Sequence, residues 1–308
     1  MSAKVLITTG DPAGCGPLIT VRAVNKLKNK GLKFYIVGDQ AIISKVGGYS
    51  RIKNHITFID LNTPGIEKLK AGYASKLGGQ ASLNYLKIGL DIMRKEKIKR
   101  IVTAPISKEA VQLVDPEFCG HTEYLANHFN ISNFAMIMAS SLIKAALFTR
   151  HIPLSSVRKY IKRKDICATI NLVHKTLQKV FKIKSPRIGF AAFNPHGGVD
   201  TYLGKEEKTI LQAIKDSAKA VTGPIAADTI FTLDNLINFD CIICLYHDQA
   251  MIPFKLLSFK DGVNFTAGLP IIRTSPAHGV AYKLIKSGSL PFSSSMEAAI
   301  KLASSLSV

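Results

Sequence analysis

Short hydrophobic runs of β character alternate with helical periodicities along this 308-residue chain, and that alternation points to the α/β class. Residues 4–8, 33–37, 100–103, 135–139, 145–149, 187–192 and 241–246 read as strands. Between them Leu83, Leu86, Leu90 and Met93 recur on one helical face, and Ile210, Leu211, Ile214, Ala218 and Val221 repeat the pattern. A last helical pattern covers 296–306, after Ser293-Ser294-Ser295. The expected core is a mainly parallel sheet, and in such sheets ligands collect beyond the carboxyl ends of the strands.

Composition narrows the class further. Hydrophobic residues make up 47% of the chain, enough for a substantial core and too many for disorder. The richest apolar stretch, 134–148, is broken by Ser140, Ser141 and Lys144, so no membrane span is expected. The first apolar segment is too short for a signal peptide, and a cytoplasmic protein is expected. The five cysteines are scattered and odd in number, which argues for reduced thiols. Cys241 and Cys244 have C-x-x-C spacing, but they lie inside a strand-like run, where a separation of three points them to opposite faces. They read as small buried hydrophobes. The formal net charge of +20 could serve nucleic acid. Its basic runs, 94–100 and 158–164, read instead as solvated helix ends and connectors, and no nucleic-acid-binding motif accompanies them. Attraction of small anionic substrates is the better reading.

Several polar segments follow predicted strands. Gly10-Asp11-Pro12-Ala13-Gly14-Cys15-Gly16-Pro17 lacks both G-x-G-x-x-G and a Walker lysine, and reads as a tight strand-to-helix turn lining a cleft. Thr103-Ala104-Pro105-Ile106-Ser107-Lys108 follows another strand. His151, His196 and His247 each follow a strand, and imidazoles bind zinc-like divalent metals. Their separations leave it to the fold to bring them together. Asp248 and Asp228 are placed to orient ligands or accept protons, although a helix N-cap is the ordinary role for Asp228. Lys255, Asn264 and Arg273 could clamp a phosphate, and Gly262, Gly268 and Pro270 suggest a shaped loop around them. His55, His128 and His174 read as ordinary surface or core histidines. The set suggests a metal-assisted enzyme acting on a small phosphorylated substrate.

Taken in order, these segments resemble the 4-hydroxythreonine-4-phosphate dehydrogenase family of vitamin B6 biosynthesis. The matching pieces are 9–17, 103–108, Gly120-His121-Thr122-Glu123-Tyr124-Leu125, Asn194-Pro195-His196, Gly223-Pro224 with Ala227-Asp228-Thr229, Tyr246-His247-Asp248-Gln249, and 262–275. The resemblance implies a two-lobed α/β/α fold like that of isocitrate and isopropylmalate dehydrogenases, with lobes 1–130 plus 278–308 and 131–277. It implies that His151, His196 and His247 are metal ligands shared across a homodimer interface. His121, Thr122, Lys255, Asn264 and Arg273 would bind substrate. Asp248 or Asp228 would serve catalysis, and His278 and Gly279 would lie at the adenosine side of NAD or NADP. The metal would be zinc, magnesium or cobalt. The implied reaction oxidises 4-phosphooxy-L-threonine to a β-keto acid that loses CO2. A sister reaction on 4-phosphothreonate, 4-phosphoerythronate or a ring dihydrodiol is the alternative. Two places depart from the family pattern: Leu18 stands where glutamate is usual, and 197–204 lack the usual glycine-rich stretch with a second histidine.

Overall fold

The computed structural model describes residues 3–198, 205–217, 219–289 and 291–307. The strands are β1 (Ala3–Thr8), β2 (Leu32–Gly38), β3 (Ile56–Asp60), β4 (Arg100–Thr103), β5 (Ala135–Ala139), β6 (Lys144–Leu147), β7 (Ile188–Ala191), β8 (Val221–Ile225), β9 (Cys241–Cys244), β10 (Val263–Ala267) and β11 (Ile272–Pro276). The helices used below are α1 (Gly16–Leu27), α2 (Lys76–Lys95), α3 (His121–His128), α4 (Arg163–Lys179), α5 (Glu206–Ser217), α6 (His247–Ser258), α7 (Tyr282–Lys286) and α8 (Ser294–Ser305). The chain forms two compact units, 1–128 with 270–306 and 308, and 129–269 with 307.

In the first unit the strand order is β3-β2-β1-β4-β11, with every pair parallel. Val5, Leu6 and Ile7 of β1 are fully buried, as in a sheet covered on both faces. Helix α1 begins with Gly16 and Pro17, where proline's missing N–H costs nothing. Helix α2 is capped by Ser75, whose hydroxyl accepts the Gly78 N–H, and it buries Leu83, Leu86, Leu90 and Met93 as their spacing predicts. Helix α8 covers β4 and β11.

In the second unit the order is β10-β5-β6-β9-β7-β8. Strand β5 is antiparallel to both neighbours, whereas β6, β9, β7 and β8 all run parallel. Helix α6 follows β9 and packs back on β6 and β9. The thiols of Cys241 and Cys244 are buried in β9. Burial pushes Cys241 up to about 12 and Cys244 well above the usual thiol range, in keeping with small buried hydrophobes.

Sequence periodicity misses β3, β8, β10 and β11 for a common reason. Strands β3 and β8 are partly exposed edges, and β10 and β11 bury polar residues, so none shows a clean apolar run. Val221 opens β8 rather than continuing α5, which ends at Ser217; Ala218 lies outside the described residues. Asn264 and Arg273 stand on strands β10 and β11, and Lys255 stands on helix α6, instead of on one shaped loop. The second boundary falls at 269/270 rather than 277/278, because β11 pairs with β4. Arg273 therefore belongs to the first unit with His121 and Thr122.

Candidate active site

Four adjacent parallel strands of the second unit each lead into a candidate polar residue. Strand β6 leads to His151, β9 to His247 and Asp248, β7 to His196, and β8 to Asp228. All leave from the carboxyl ends, the edge where such sheets bind ligands. Buried hydrogen bonds tie the ends together. The Thr149 hydroxyl donates to the Leu245 carbonyl at 2.6 Å, joining the β6 and β9 connections. Gln249 accepts the Leu245 N–H and donates to the Ala192 carbonyl, each at 2.7 Å, joining the β9 and β7 connections.

The rings of His151 and His247 are 5.6 Å apart between centroids. Two imidazoles on one tetrahedral zinc would have centroids about 5 Å apart, given zinc–nitrogen bonds of roughly 2.1 Å. Both rings line a cavity of about 260 Å³ with Arg150, Ile152, Leu154, Tyr246 and Asp248. Asp248 Oδ1 lies 2.6 Å from His247 Nδ1, so Nε2 is the nitrogen that could reach a metal. This pair fits a divalent metal in both spacing and donor chemistry. His196 occupies a turn after β7, exposed and with φ of 55°. Among the described residues of one chain, no group of three His, Cys, Asp or Glu side chains is arranged to hold a metal. A single chain thus brings two of the three predicted ligands together. Asp228 lies in the first turn of a short helix whose N-cap is Ala226, so it is not the cap.

The first unit groups several buried polar side chains around Arg273. Arg273 is only 2% exposed. Its Nε and Nη2 donate to the Thr103 hydroxyl, and its Nη1 donates to the Thr122 hydroxyl at 3.3 Å. Burial lowers the guanidinium to about 10, opposed by the Glu123 carboxylate. His121 opens α3, and its Nε2 is buried without a hydrogen-bond partner among the described residues. Burial, then the charge of Arg273, holds this imidazole well below its usual pKa, so it is neutral near pH 7. A buried cation and a neutral imidazole thus lie within electrostatic reach of each other at the start of α3, with the Glu123 carboxylate acting on the cation.

The remaining predicted residues are dispersed. Asn264 pairs across β5 with Met138, which in turn pairs with Ala145 near the start of β6. The C-terminal end of α6 lies at the same level, since Ser258 donates to Ser140 just beyond β5. Asn264 and the last turn of α6, with Lys255, therefore occupy the opposite edge of this sheet from the three histidines. Burial lowers the Lys255 pKa, and the Asn264 Oδ1 is buried without a partner among the described residues. In the first unit, His278 and Gly279 lie in the loop between β11 and α7. Gly279 has open space where a side chain would stand.

Comparison with known proteins gives this arrangement a context. The family described as "Pyridoxal phosphate biosynthetic protein PdxA" matches residues 18–303. The chain belongs to this family. A PdxA-family relative from Desulforapulum autotrophicum, named 4-hydroxythreonine-4-phosphate dehydrogenase, is 37% identical over 96% of this chain and 93% of its own length. A relative from Oceanobacillus iheyensis, provisionally named D-threonate 4-phosphate dehydrogenase, is 35% identical over 98% of this chain and 99% of its own. The crystal structure of 4-hydroxythreonine-4-phosphate dehydrogenase from Klebsiella pneumoniae has a TM-score of 0.83 and 30% identity, covering 98% of this chain and 97% of that one.

Some residues that shape the site of this PdxA-family chain carry little signal in the sequence. Thr103 and Gln249 sit inside the quoted motifs, but only the fold reveals what their polar atoms hold. Asp11 is buried in the first turn, where it accepts the Ala13 N–H at 2.8 Å and the Tyr282 hydroxyl at 2.5 Å. Cys15 N–H donates to the Val280 carbonyl, so the glycine-rich turn is pinned to the loop carrying His278 and Gly279. Leu18 lies half-buried in the first turn of α1. Of the other departure, 199–204 lies outside the described residues.

Proposed function

We propose that the chain catalyses NAD(P)-dependent, divalent-metal-assisted oxidation of 4-phosphooxy-L-threonine to 2-amino-3-oxo-4-phosphooxybutanoate. That product is a β-keto acid and loses CO2 to give 3-amino-2-oxopropyl phosphate, within pyridoxal 5'-phosphate biosynthesis. The observation that carries the reading is the row of His151, His247 and His196 at the ends of three adjacent parallel strands, in a chain of this family.

In this reading Arg273 and His121 bind the phosphate in the first unit, while Thr103 and Thr122 set the direction of the guanidinium. Lys255 and Asn264 supply further polar contacts to substrate. Asp248 holds the His247 ring by Nδ1. Asp228, exposed after β8, is the candidate acceptor for the hydroxyl proton. A bound divalent metal would supply Lewis acidity, lowering the pKa of that hydroxyl. The imidazole donor set suits zinc or cobalt better than magnesium. NAD or NADP would accept the hydride, and the loop with His278 and Gly279 would receive its adenosine end.

A homodimer belongs to the proposal. One chain collects two of the three histidines, and Lys255 and Asn264 lie at the far edge of the sheet that carries them. Ile252, Leu256 and Phe259 form an exposed apolar stripe along α6, the helix that begins at His247, and a second copy is the occupant that would also complete the site.

The 35% identity to the relative named for D-threonate 4-phosphate supports a second reading, in which the substrate lacks the amine. Steady-state turnover with NAD and NADP on 4-phosphooxy-L-threonine and on D-threonate 4-phosphate separates the two. Faster turnover of the amine-free acid would replace the first reading, and no turnover of either would remove both.

A further inference from the structure

His196, Gly197 and Gly198 are three consecutive residues with left-handed backbones, at φ of 55°, 69° and 68°. Glycine adopts this form freely, but a histidine does so only where its surroundings impose it. The turn has no buried side chain of its own to impose it, because Pro195 and His196 are both exposed.

The carboxylate nearest this turn belongs to Glu207, the second residue of α5. Its Oε1 accepts the N–H groups of Phe193 and Asn194 at 3.0 and 2.7 Å, and its Oε2 accepts the Asn194 side-chain amide at 2.7 Å. Glu207 is 8% exposed, so these donors replace the water its carboxylate has lost. From the other end of the turn, Gly198 lies so close that a Cβ there would come 2.8 Å from Glu207 Cγ. Neighbouring Glu206 is turned elsewhere: it pairs with Arg158 and reaches the Asn194 amide at only 3.4 Å. One carboxylate thus accepts the donors that precede His196, and its side chain packs closely on the glycine that follows.

We propose that Glu207 is a positioning residue for His196, its carboxylate holding the turn in the left-handed form that presents the imidazole to a divalent metal. The inference rests on the metal reading above and adds to it the group that fixes one ligand. Removing a carboxylate that orients a ligand weakens metal binding about 10–100-fold.

The test measures Zn2+ affinity of the full chain by competition with a chromophoric chelator, with melting temperature recorded beside it. Glu207→Gln keeps the shape but turns one acceptor into a donor facing the Asn194 amide or the backbone N–H groups. It is expected to weaken Zn2+ binding by about 10–100-fold. In a His196→Ala background the same change is expected to cost nothing further, because the ligand it positions is gone. Gly198→Ala presses on Glu207 from the other side and is expected to weaken Zn2+ in the same way. It carries the comparison if Glu207→Gln does not fold. Unchanged affinity in these variants, or an equal loss with and without His196, would overturn the proposal. A wild-type chain that binds no Zn2+ would remove the metal reading itself, and this inference with it.

Discussion

The Nε and Nη2 groups of Arg273 both donate to one acceptor, the Thr103 hydroxyl oxygen, at 3.2 and 2.8 Å. Thr103 ends β4 and Arg273 stands on β11, two strands paired in parallel register. The sheet itself therefore sets the direction of the guanidinium. A planar fork anchored along one edge is held in a fixed direction, which a lysine cannot imitate.

In the proposed reading Arg273 binds the substrate phosphate, and that reading is open to a direct test. Arg273→Ala should lower kcat/KM on the phosphorylated substrate by about 2–4 kcal/mol of transition-state binding, the range for losing a buried charge-assisted contact. An analogue without the phosphate should lose little, since that contact is already missing. Arg273→Lys should recover only part of the loss. Equal losses on both substrates would mean that Arg273 serves the packing of β4 and β11.

His121 gives a pH signature. Burial and the charge of Arg273 depress its folded-state pKa well below the ordinary imidazole value of 6.5. Above pH 6.5 the imidazole is neutral in both folded and unfolded chains and costs nothing. As pH falls below 6.5 the unfolded chain takes up a proton that the folded chain refuses. Stability should then fall by about 1.4 kcal/mol per pH unit from this group, until the folded value is reached. The melting temperature of His121→Gln should fall less steeply between pH 6.5 and 5 than that of the wild type. Parallel curves would show that His121 protonates freely in the native state.

The cysteines test the interior of the sheets. Cys15 and Cys241 are pushed up to about 12 and Cys244 well above the usual range, all by burial, whereas Cys119 is exposed. Native protein treated with a thiol reagent at pH 8 should label Cys119 quickly and leave those three until the chain unfolds. Rapid labelling of Cys241 or Cys244 would contradict the burial of β9.

The hydrophobic strands β1, β2, β4, β5 and β9 are legible in the sequence because burial on both faces demands continuous apolar runs. Strand β11 is not, because polar Arg273, Thr274 and Ser275 are buried there. Buried polar side chains hide the strand that carries them. The histidines are legible as types and as followers of strands, but the sequence order β6, β7, β9 conceals the spatial order β6-β9-β7 that places His247 between the other two. Glu207 and Gln249 are invisible for another reason. Their task is to bond backbone groups distant in sequence, and a glutamate opening a helix looks like ordinary helix chemistry.

Loss of one imidazole should be felt at the metal. His247→Ala removes the ring that faces His151 across 5.6 Å and the partner of Asp248. The variant should remain folded, since His247 begins its helix at a half-exposed position. It should lose stoichiometric Zn2+ binding and turnover together. A variant that keeps full activity would remove His247 from the site.

Assembly gives the last expectation. Ile252, Leu256 and Phe259 recur at helical spacing along α6 and its end, and they are 61%, 82% and 70% exposed in the single chain. Charge placed in such a stripe should be harmless to a monomer and disruptive to a dimer, because an unpaired charge is costly once a second copy covers it. Leu256→Glu should therefore sediment as a folded monomer with an unchanged far-ultraviolet spectrum, at concentrations where the wild type is dimeric. If the second copy completes the metal site, that monomer should also lose turnover and Zn2+ binding. An active monomer, in this variant or in diluted wild type, would show that one chain closes the site by itself, and His196 would then have to reach the His151–His247 pair within its own subunit.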